Sequence, residues 1–208
     1  MIKKRYDKAG PAVAEAMKKR GFDAYYVSTA EEARAKALEL IPENSTVSWG
    51  GSVTIDEIGL KKAVIDGGYN VINRDEAGTP EERTELMRKA LTCDVFLMSA
   101  NAVSEDGQLV NIDGNGNRVA ALCFGPKEVI VVAGMNKVAG NIEEAYARAR
   151  KFAAPVNAQR FNLGTPCNRT GMCSDCLSPD SICSQLVVTR RTSGGRIKVL
   201  RVGEDLGF

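Results

Sequence analysis

The sequence predicts an α/β domain with a mostly parallel sheet and helices on both faces. Helix and strand signals alternate along the first half of the chain, which is the order that a parallel sheet requires. The segments STVSWGG (45–51) and EVIVVAG (128–134) have the length and apolar character of buried strands. No internal repeat or linker divides the 208 residues, a length that favours one domain.

Each element of the first half has its own local signal. Residues 7–20 have a helical pattern that ends at Gly21, and a strand pattern follows at 22–28. Thr29 and Glu32 form a capping box for the next helix. The rest of this half predicts a strand at 45–51, a helix at 54–68, a strand at 70–74, a helix starting at Thr79-Pro80 and a strand at 94–100.

The second half predicts hairpins around its turn signals. Asp106-Gly107 and the stretch DGNGNR (113–118) indicate a hairpin within residues 101–123. A strand at 128–134 and a helix interrupted near Pro155 follow, and QLVVTRR and RIKVLRV predict a last hairpin. We therefore expect one Rossmann-like domain over 1–208, with a core at 1–160, a cysteine loop at 161–184 and a terminal β-hairpin at 185–208.

Composition and charge exclude several classes of protein. Hydrophobic residues make up 44% and charged residues 26% of the chain, and the net charge is only +2, so nothing indicates nucleic acid or a membrane as a partner. The charged N-terminus lacks the apolar stretch of a secretory signal, and no apolar run reaches transmembrane length. We expect a cytoplasmic protein, and a homodimer only because dimers are common.

A glycine-rich turn follows the predicted strand at 45–51. Gly50, Gly51, Ser52 and Thr54 lead from that strand into a helix, where backbone N–H groups and hydroxyls can hold an anion. An ordinary tight turn would have the same residues. In the first turn of the helix, Asp56 and Glu57 complement the helix dipole, and we take Glu57 as a candidate catalytic base.

A second group of candidates follows the strand at 94–100. Turn chemistry explains Asp106 and Asp113, but it does not require Asn101, Glu105 or Asn111. We therefore expect Asn101 and Asn111 to bind substrate and Glu105 to be a second candidate base. Lys137 follows the strand at 128–134, where it could pair with a phosphate or carboxylate; a solvated surface lysine is the plainer interpretation.

The cysteines near the C-terminus predict a metal centre. They have the spacing C-x5-C-x2-C-x6-C within a polar loop, and the chain contains no histidine, so the ligands would be thiolates. A zinc ribbon has two separated C-x2-C pairs, whereas only one is present, which favours an iron–sulfur centre of the [4Fe-4S] type over zinc. The predicted ligands are Cys167, Cys173, Cys176 and Cys183. Cys93 and Cys123 adjoin strand patterns and are expected to be buried.

Three motifs in this order give the chain a resemblance to a known family. SWGGSVTIDEIGL, SANAVSEDGQLVN and GPKEVIVVAGMNKV resemble the lactate-utilisation (LUD) domain family over roughly residues 40–208. That family is similar in fold to ribose-5-phosphate isomerase, glucosamine-6-phosphate deaminase and coenzyme A transferases. The resemblance implies a ligand cleft between the segments 48–57 and 101–111.

The resemblance also implies a redox setting. Lactate-utilisation proteins act in the oxidation of L-lactate to pyruvate beside iron–sulfur partner subunits. This chain differs from the standalone lactate-utilisation protein C in carrying the four-cysteine segment. It also differs from the larger iron–sulfur subunit, whose ferredoxin-like cysteine runs are absent here. We expect a redox protein for a small anionic hydroxy acid, with an electron-transfer partner protein. The alternatives are a non-redox isomerase, transferase or hydrolase for a phosphate- or carboxylate-bearing substrate, and a structural zinc site.

Overall fold

The computed structural model describes residues 1–208 and confirms the α/β prediction. The chain forms nine helices and ten strands. The helices are α1 (Ile2–Lys19), α2 (Ala30–Glu39), α3 (Val53–Glu57), α4 (Leu60–Asp66), α5 (Pro80–Lys89), α6 (Asn117–Cys123), α7 (Ile142–Arg148), α8 (Ala154–Ala158) and α9 (Pro166–Thr170). The strands are β1 (Asp23–Val27), β2 (Thr46–Trp49), β3 (Asn70–Val71), β4 (Val95–Met98), β5 (Ala102–Ser104), β6 (Leu109–Asp113), β7 (Glu128–Gly134), β8 (Val138–Ala139), β9 (Gln185–Thr189) and β10 (Ile197–Val202).

Two sheets make up the domain. The larger one has six strands in the order β1-β10-β7-β4-β2-β3, and all of its pairs are parallel. The smaller one has the order β8-β5-β6-β9 and is mixed, because β5 pairs with β8 in parallel while β6 is antiparallel to β5 and β9. The carboxyl ends of the six parallel strands therefore share one edge, where α/β proteins bind ligands.

The larger sheet is buried on both faces. Along β7, Val129 and Val131 belong to one apolar cluster and Ile130 and Val132 to another. Met17 of α1 packs in the first cluster, and residues of α2, α3 and α4 pack in the second. This two-sided burial explains why the central strands are continuous apolar runs without alternation.

The terminal β-hairpin predicted for 185–208 is wrong. β9 pairs with β6 in the smaller sheet, whereas β10 lies between β1 and β7 in the larger one. The physical reason is burial: Val199 and Leu200 are both 0% exposed on opposite faces of β10, and a two-stranded hairpin would leave one face in water.

Three local features differ from the expectations. The helix predicted at 54–68 is two helices, because Gly59 adopts a left-handed conformation with φ of +68°. The Gly-Asn stretch (113–118) leads into the short helix α6, which begins at Asn117 and which the turn signals did not predict. Cys93 is buried as expected, but Cys123, at the last position of α6, is exposed.

We predict that Leu200→Ala lowers the free energy of unfolding by about 2–5 kcal/mol, because it leaves a cavity in a fully buried strand. Chemical denaturation measures this change. Leu177→Ala is the matched control, since Leu177 is 99% exposed and its truncation should cost less than about 0.5 kcal/mol. Equal effects of the two substitutions would contradict the central placement of β10.

Candidate functional site

A polar cavity of about 190 Å³ opens at the carboxyl edge of the larger sheet. Its walls come from the segments that follow β2, β4 and β7, and from the loop between β6 and α6. Of the predicted binding residues, five line the cavity: Gly51, Ser52, Thr54, Asn101 and Lys137. These five residues, predicted from two separate segments and a strand end, therefore border one cavity, which is named here the anion cavity.

The other predicted residues lie outside the cavity wall. Glu57 is exposed and its Oε2 accepts a hydrogen bond of 2.6 Å from the backbone N–H of Gly207. Glu105 is exposed in the turn between β5 and β6, at the end of the hairpin remote from Asn101. Neither carboxylate lines the anion cavity.

Gly50 and Asn111 support the cavity from behind by packing against Arg118. A Cβ on Gly50 would lie 2.8 Å from Cγ and Cδ of Arg118. Asn111 is 0% exposed, and its Oδ1 accepts a hydrogen bond of 3.1 Å from Arg118 Nη1. Both residues were predicted to contact substrate. In the structure, Gly50 leaves space for the Arg118 side chain and Asn111 accepts a hydrogen bond from it.

Arg118 is the centre of the hydrogen-bond network behind the cavity. Its Nη1 donates to the carbonyl oxygen of Ser99 (3.0 Å) as well as to Asn111, and its Nη2 donates to Asn101 Oδ1 (3.1 Å) and to the carbonyl oxygen of Ile112 (2.6 Å). All four Nη hydrogens are therefore used within the protein. Arg118 positions Asn101 and contributes charge, while its Nη groups have no hydrogen left for a ligand.

Positive charge dominates the lining of the anion cavity. Four cationic side chains line it against one carboxylate, that of Asp113. Asp113 Oδ2 accepts from the backbone N–H groups of Arg118 (2.9 Å) and Val119 (3.1 Å) and so starts α6. The four cations are Arg74, Arg118, Lys137 and Arg160.

Arg74 is a buried cation with unused hydrogen-bond donors. It is 9% exposed, and its Nη1 contacts only the sulfur of Met87, at 3.5 Å. Its Nε lies 3.6 Å from Asp75 Oδ1, an ion pair too long for a hydrogen bond, and has no hydrogen-bond partner. A Cβ on Gly51 would lie 2.9 Å from Arg74 Nη2, so this glycine lets the guanidinium reach the cavity. Burial, more than any neighbouring charge, lowers the pKa of Arg74, and a bound anion would relieve that cost.

Lys137 is a buried amine at the floor of the anion cavity. It is 3% exposed, and its Nζ donates to Thr54 Oγ1 (2.9 Å) and Ser99 Oγ (3.0 Å). Burial, followed by the charges of Arg148, Arg118 and Arg201, lowers the pKa of Lys137 to about 7. The amine is therefore part neutral at physiological pH, unlike the solvated surface lysine of the plainer interpretation.

The four predicted thiol ligands line a second cavity, named here the cysteine cavity. Its volume is about 280 Å³, and Cys167, Cys173, Cys176 and Cys183 all contribute to its wall. Burial, followed by the charges of the other three thiolates, raises the pKa of Cys183. No three Cys, His, Asp or Glu side chains converge closely enough to hold a single ion.

The C-x2-C turn is shaped by Asp175. This residue has φ of 54°, in the left-handed region that Asp tolerates better than most residues. Its carboxylate forms an ion pair with Arg150, which also lines the cysteine cavity. Arg150 lies in a π-helical segment, 149–153, that precedes Pro155; because proline has no N–H, the regular helical ladder cannot continue there.

The two cavities share a wall. Ile112 and Ile182 line both, and the backbone N–H of Ser184 donates to the carbonyl oxygen of Asp113 at 3.0 Å. From there β9 continues the pairing with β6, starting at the partners Gln185 and Asp113. This antiparallel pairing fixes the cysteine segment directly beside the loop that closes the anion cavity.

Sequence reasoning missed Arg74 and Arg118 as site residues. Arg118 lies in the first turn of α6, where a cation opposes the helix dipole, but the sequence did not predict this helix and so gave no signal for the residue. Arg74 also carried no signal, because it lies in a 3₁₀ turn after β3 and reaches the cavity only through the tertiary fold. No helix of the protein combines the length and apolarity needed to cross a bilayer.

An all-parallel sheet with its candidate site at the strands' carboxyl ends defines the general class, that of α/β proteins with an edge site. The family is narrower: the model of the LUD domain matches residues 11–202, and the chain belongs to the LUD domain family. The resemblance seen in the sequence motifs is thus confirmed. No curated protein matches the chain significantly.

A solved structure agrees with the fold. A DUF162 family protein from Deinococcus radiodurans is similar to this chain with a TM-score of 0.55 at 16% identity, covering 95% of this chain and 98% of its own. Ribose 5 phosphate isomerase A from Neisseria gonorrhoeae is similar with a TM-score of 0.35 at 16% identity over 54% of each chain. The second similarity is too weak to inform the fold.

We predict that Lys137→Met changes how stability depends on pH. The pKa of Lys137 in the folded protein lies below its ordinary value of 10.5, so between about pH 7 and pH 10 the unfolded chain binds one more proton. Raising the pH in this window should therefore stabilise the native protein relative to Lys137→Met by up to about 1.4 kcal/mol per pH unit.

Denaturant titrations of both proteins at several pH values measure this difference. Lys62→Met, at a side chain that is 80% exposed, is the matched control and should show no such slope. Parallel stability curves for the native protein and Lys137→Met would contradict the depressed pKa.

Proposed function

We propose that this LUD-domain protein binds a [4Fe-4S] cluster in the cysteine cavity and acts in redox metabolism of a small hydroxy acid bound in the anion cavity. The observation that carries the proposal is the shared wall of the two cavities, formed by Ile112 and Ile182. The four thiols, spread over 17 residues of the chain, border one space, and that space adjoins a cavity lined by four cationic side chains.

The donor set fits an iron–sulfur cluster. All four candidate ligands are thiols, which is the usual set for a [4Fe-4S] cluster, and the chain has no histidine. A tetrahedral zinc ion would draw four sulfurs to about 2.3 Å from one point, whereas a cubane cluster contacts each thiolate through a different iron. The four cysteines line a common cavity of about 280 Å³ and do not converge on one point, which suits the second arrangement.

The raised pKa of Cys183 supports a cationic occupant. Its causes are burial and three neighbouring thiolates, and Arg150 is the cation that opposes them. Several thiolates in this space would repel one another unless a metal centre balanced their charge. When bound, an iron–sulfur cluster supplies one-electron redox chemistry.

The chain's own residues define what the anion cavity accepts. Arg74 and Lys137 both line the anion cavity and offer hydrogen-bond donors to a small anionic ligand bound there. Asn101 Oδ1 is occupied by Arg118 and by the backbone N–H of Ile112, so the Asn101 amide N–H₂ can face a ligand. A short hydroxy acid satisfies these donors.

An electron-transfer partner protein would meet the outer face of the cysteine segment. Leu177 is 99% exposed and Met172 70% exposed, and both flank the C-x2-C pair. Apolar side chains at the surface nearest a redox centre allow close approach of a partner. A homodimer and a cytoplasmic location stay predictions from the sequence.

A second candidate function is a non-redox isomerase or transferase reaction on the same anionic ligand. The part-neutral amine of Lys137 favours it, because such groups act as bases or nucleophiles. In this case the cysteine segment would bind a structural metal, zinc included, that secures β9 to β6. Metal identity separates the two candidates.

We predict that anaerobically purified protein is brown, contains about four irons per chain and loses its visible absorbance on reduction with dithionite. Cys176→Ser should lose most of this iron. Cys123→Ser is the matched control, since Cys123 is exposed and outside the cysteine cavity, and it should keep the iron of the native protein.

Colourless protein with one zinc per chain would refute the cluster. The four single Cys→Ser variants also distinguish closed from open ligation: if one of them keeps its cluster, three thiols suffice and one coordination position is free for a ligand.

We predict that oxalate binds the anion cavity and that Arg74→Met weakens its binding at least about tenfold, because a charged hydrogen bond contributes roughly 1.5–3 kcal/mol. Isothermal titration calorimetry measures both affinities. Arg88→Met is the matched control, because Arg88 lies on the neighbouring helix α5 and is 69% exposed. Equal affinities for the native protein and Arg74→Met would remove Arg74 from the site.

A further inference from the structure

One group on the anion cavity can gain or lose a proton near neutral pH. Arginine stays protonated in proteins, which excludes Arg74, Arg118 and Arg160 as proton acceptors. The carboxylate of Asp113 is engaged by two backbone N–H groups at the start of α6. Lys137 alone is left, with its Nζ at the cavity floor.

The charges around Lys137 disfavour its ammonium form. Three cations face it from three elements: Arg118 on α6, Arg148 on α7 and Arg201 on β10. Arg148 and Arg201 donate to carbonyl oxygens and have no carboxylate partner, and two nitrogens of Arg201 are buried without any partner. Glu57 on α3 is the one carboxylate that favours the charged amine.

Two hydroxyl groups hold the amine in place. Thr54 Oγ1 and Ser99 Oγ lie 2.9 Å and 3.0 Å from Nζ, and each can accept a hydrogen bond from it. Ser99 directly follows β4, and Thr54 lies in α3, the helix that follows β2. An amine with only two neutral acceptors keeps a third position free toward the cavity.

We propose that Lys137 is a catalytic residue of the anion cavity, whose neutral amine takes the hydroxyl proton of a bound α-hydroxy acid. The Nζ lone pair forms the new N–H bond, the electron pair of the broken O–H bond stays on the substrate oxygen, and Thr54 and Ser99 accept hydrogen bonds from the resulting ammonium. This inference rests on the anion-binding function proposed above, and it assigns the base role to an amine in place of Glu57 and Glu105.

Glyoxylate is the probe for this amine. It combines a carboxylate with an aldehyde, so the Lys137 nitrogen can add to the aldehyde carbon, lose water to form an imine, and be fixed as a secondary amine by borohydride. Peptide mass spectrometry of the full chain then gives the labelling of each lysine against pH. Lys62, 80% exposed, is the internal comparison.

We expect half-maximal labelling of Lys137 near pH 7, and labelling at pH 7 that is roughly a hundredfold faster than that of Lys62, because only the neutral amine reacts. Oxalate should compete with this labelling, and Arg74→Met should reduce it. Lys137→Arg should abolish labelling at this position while leaving Lys62 unchanged.

The outcomes separate this inference from the function on which it rests. Labelling of Lys137 only above about pH 9, with oxalate still bound by the native protein, overturns the base role and leaves the anion cavity standing. A second outcome is labelling of Lys137 near pH 7 at a rate that oxalate does not lower and that acetaldehyde, which has no charge, equals. That result would overturn anion binding in the cavity and with it the proposed step. Iron content enters neither result, so the cluster is tested independently.

Discussion

A single guanidinium joins the two sheets of this protein at its candidate site. Arg118 contacts the carbonyl of Ser99 after β4 of the larger sheet, and the side chain of Asn111 and the carbonyl of Ile112 on β6 of the smaller sheet. The missing Cβ of Gly50 makes space for it. Removing this side chain would leave several buried acceptors without their donor, and each such loss costs about 1–3 kcal/mol. The shape of the anion cavity depends on this contact.

The pairing of β9 with β6 gives the cysteine segment its place. Five residue pairs hold β9 along β6, and the pairing begins just after Cys183. Because Asp113 at the end of β6 also starts α6, the cysteine cavity and the anion cavity adjoin the same loop. A metal centre and an anionic ligand would therefore influence each other through Ile112, Ile182 and the backbone of that loop.

Much of the fold was predictable from local signals. The caps at Thr29 and Thr79 accept the hydrogen bonds that their sequences indicate, and the strand at 128–134 has the predicted bounds. The terminal strands could not be paired correctly, because β9 and β10 are both apolar and adjoin a glycine turn that suits a hairpin. Their true partners are far away in the chain, and local patterns carry no information about which distant edge is open.

The sequence by itself determined the family, the parallel sheet, the thiol character of the cysteine segment and the strand ends that border the anion cavity, since these follow from motifs, periodicity and composition. Only the tertiary structure decided which polar residues reach the cavity. Glu57 and Glu105 lie outside the wall of the anion cavity. Arg74 and Arg118 lie against Gly51 and Gly50, where a larger residue would clash with them. Lys137 is buried near three arginines. The physical reason is that burial and electrostatic surroundings arise from elements distant in sequence, and these surroundings change a lysine from a surface cation into an amine that is part neutral at physiological pH.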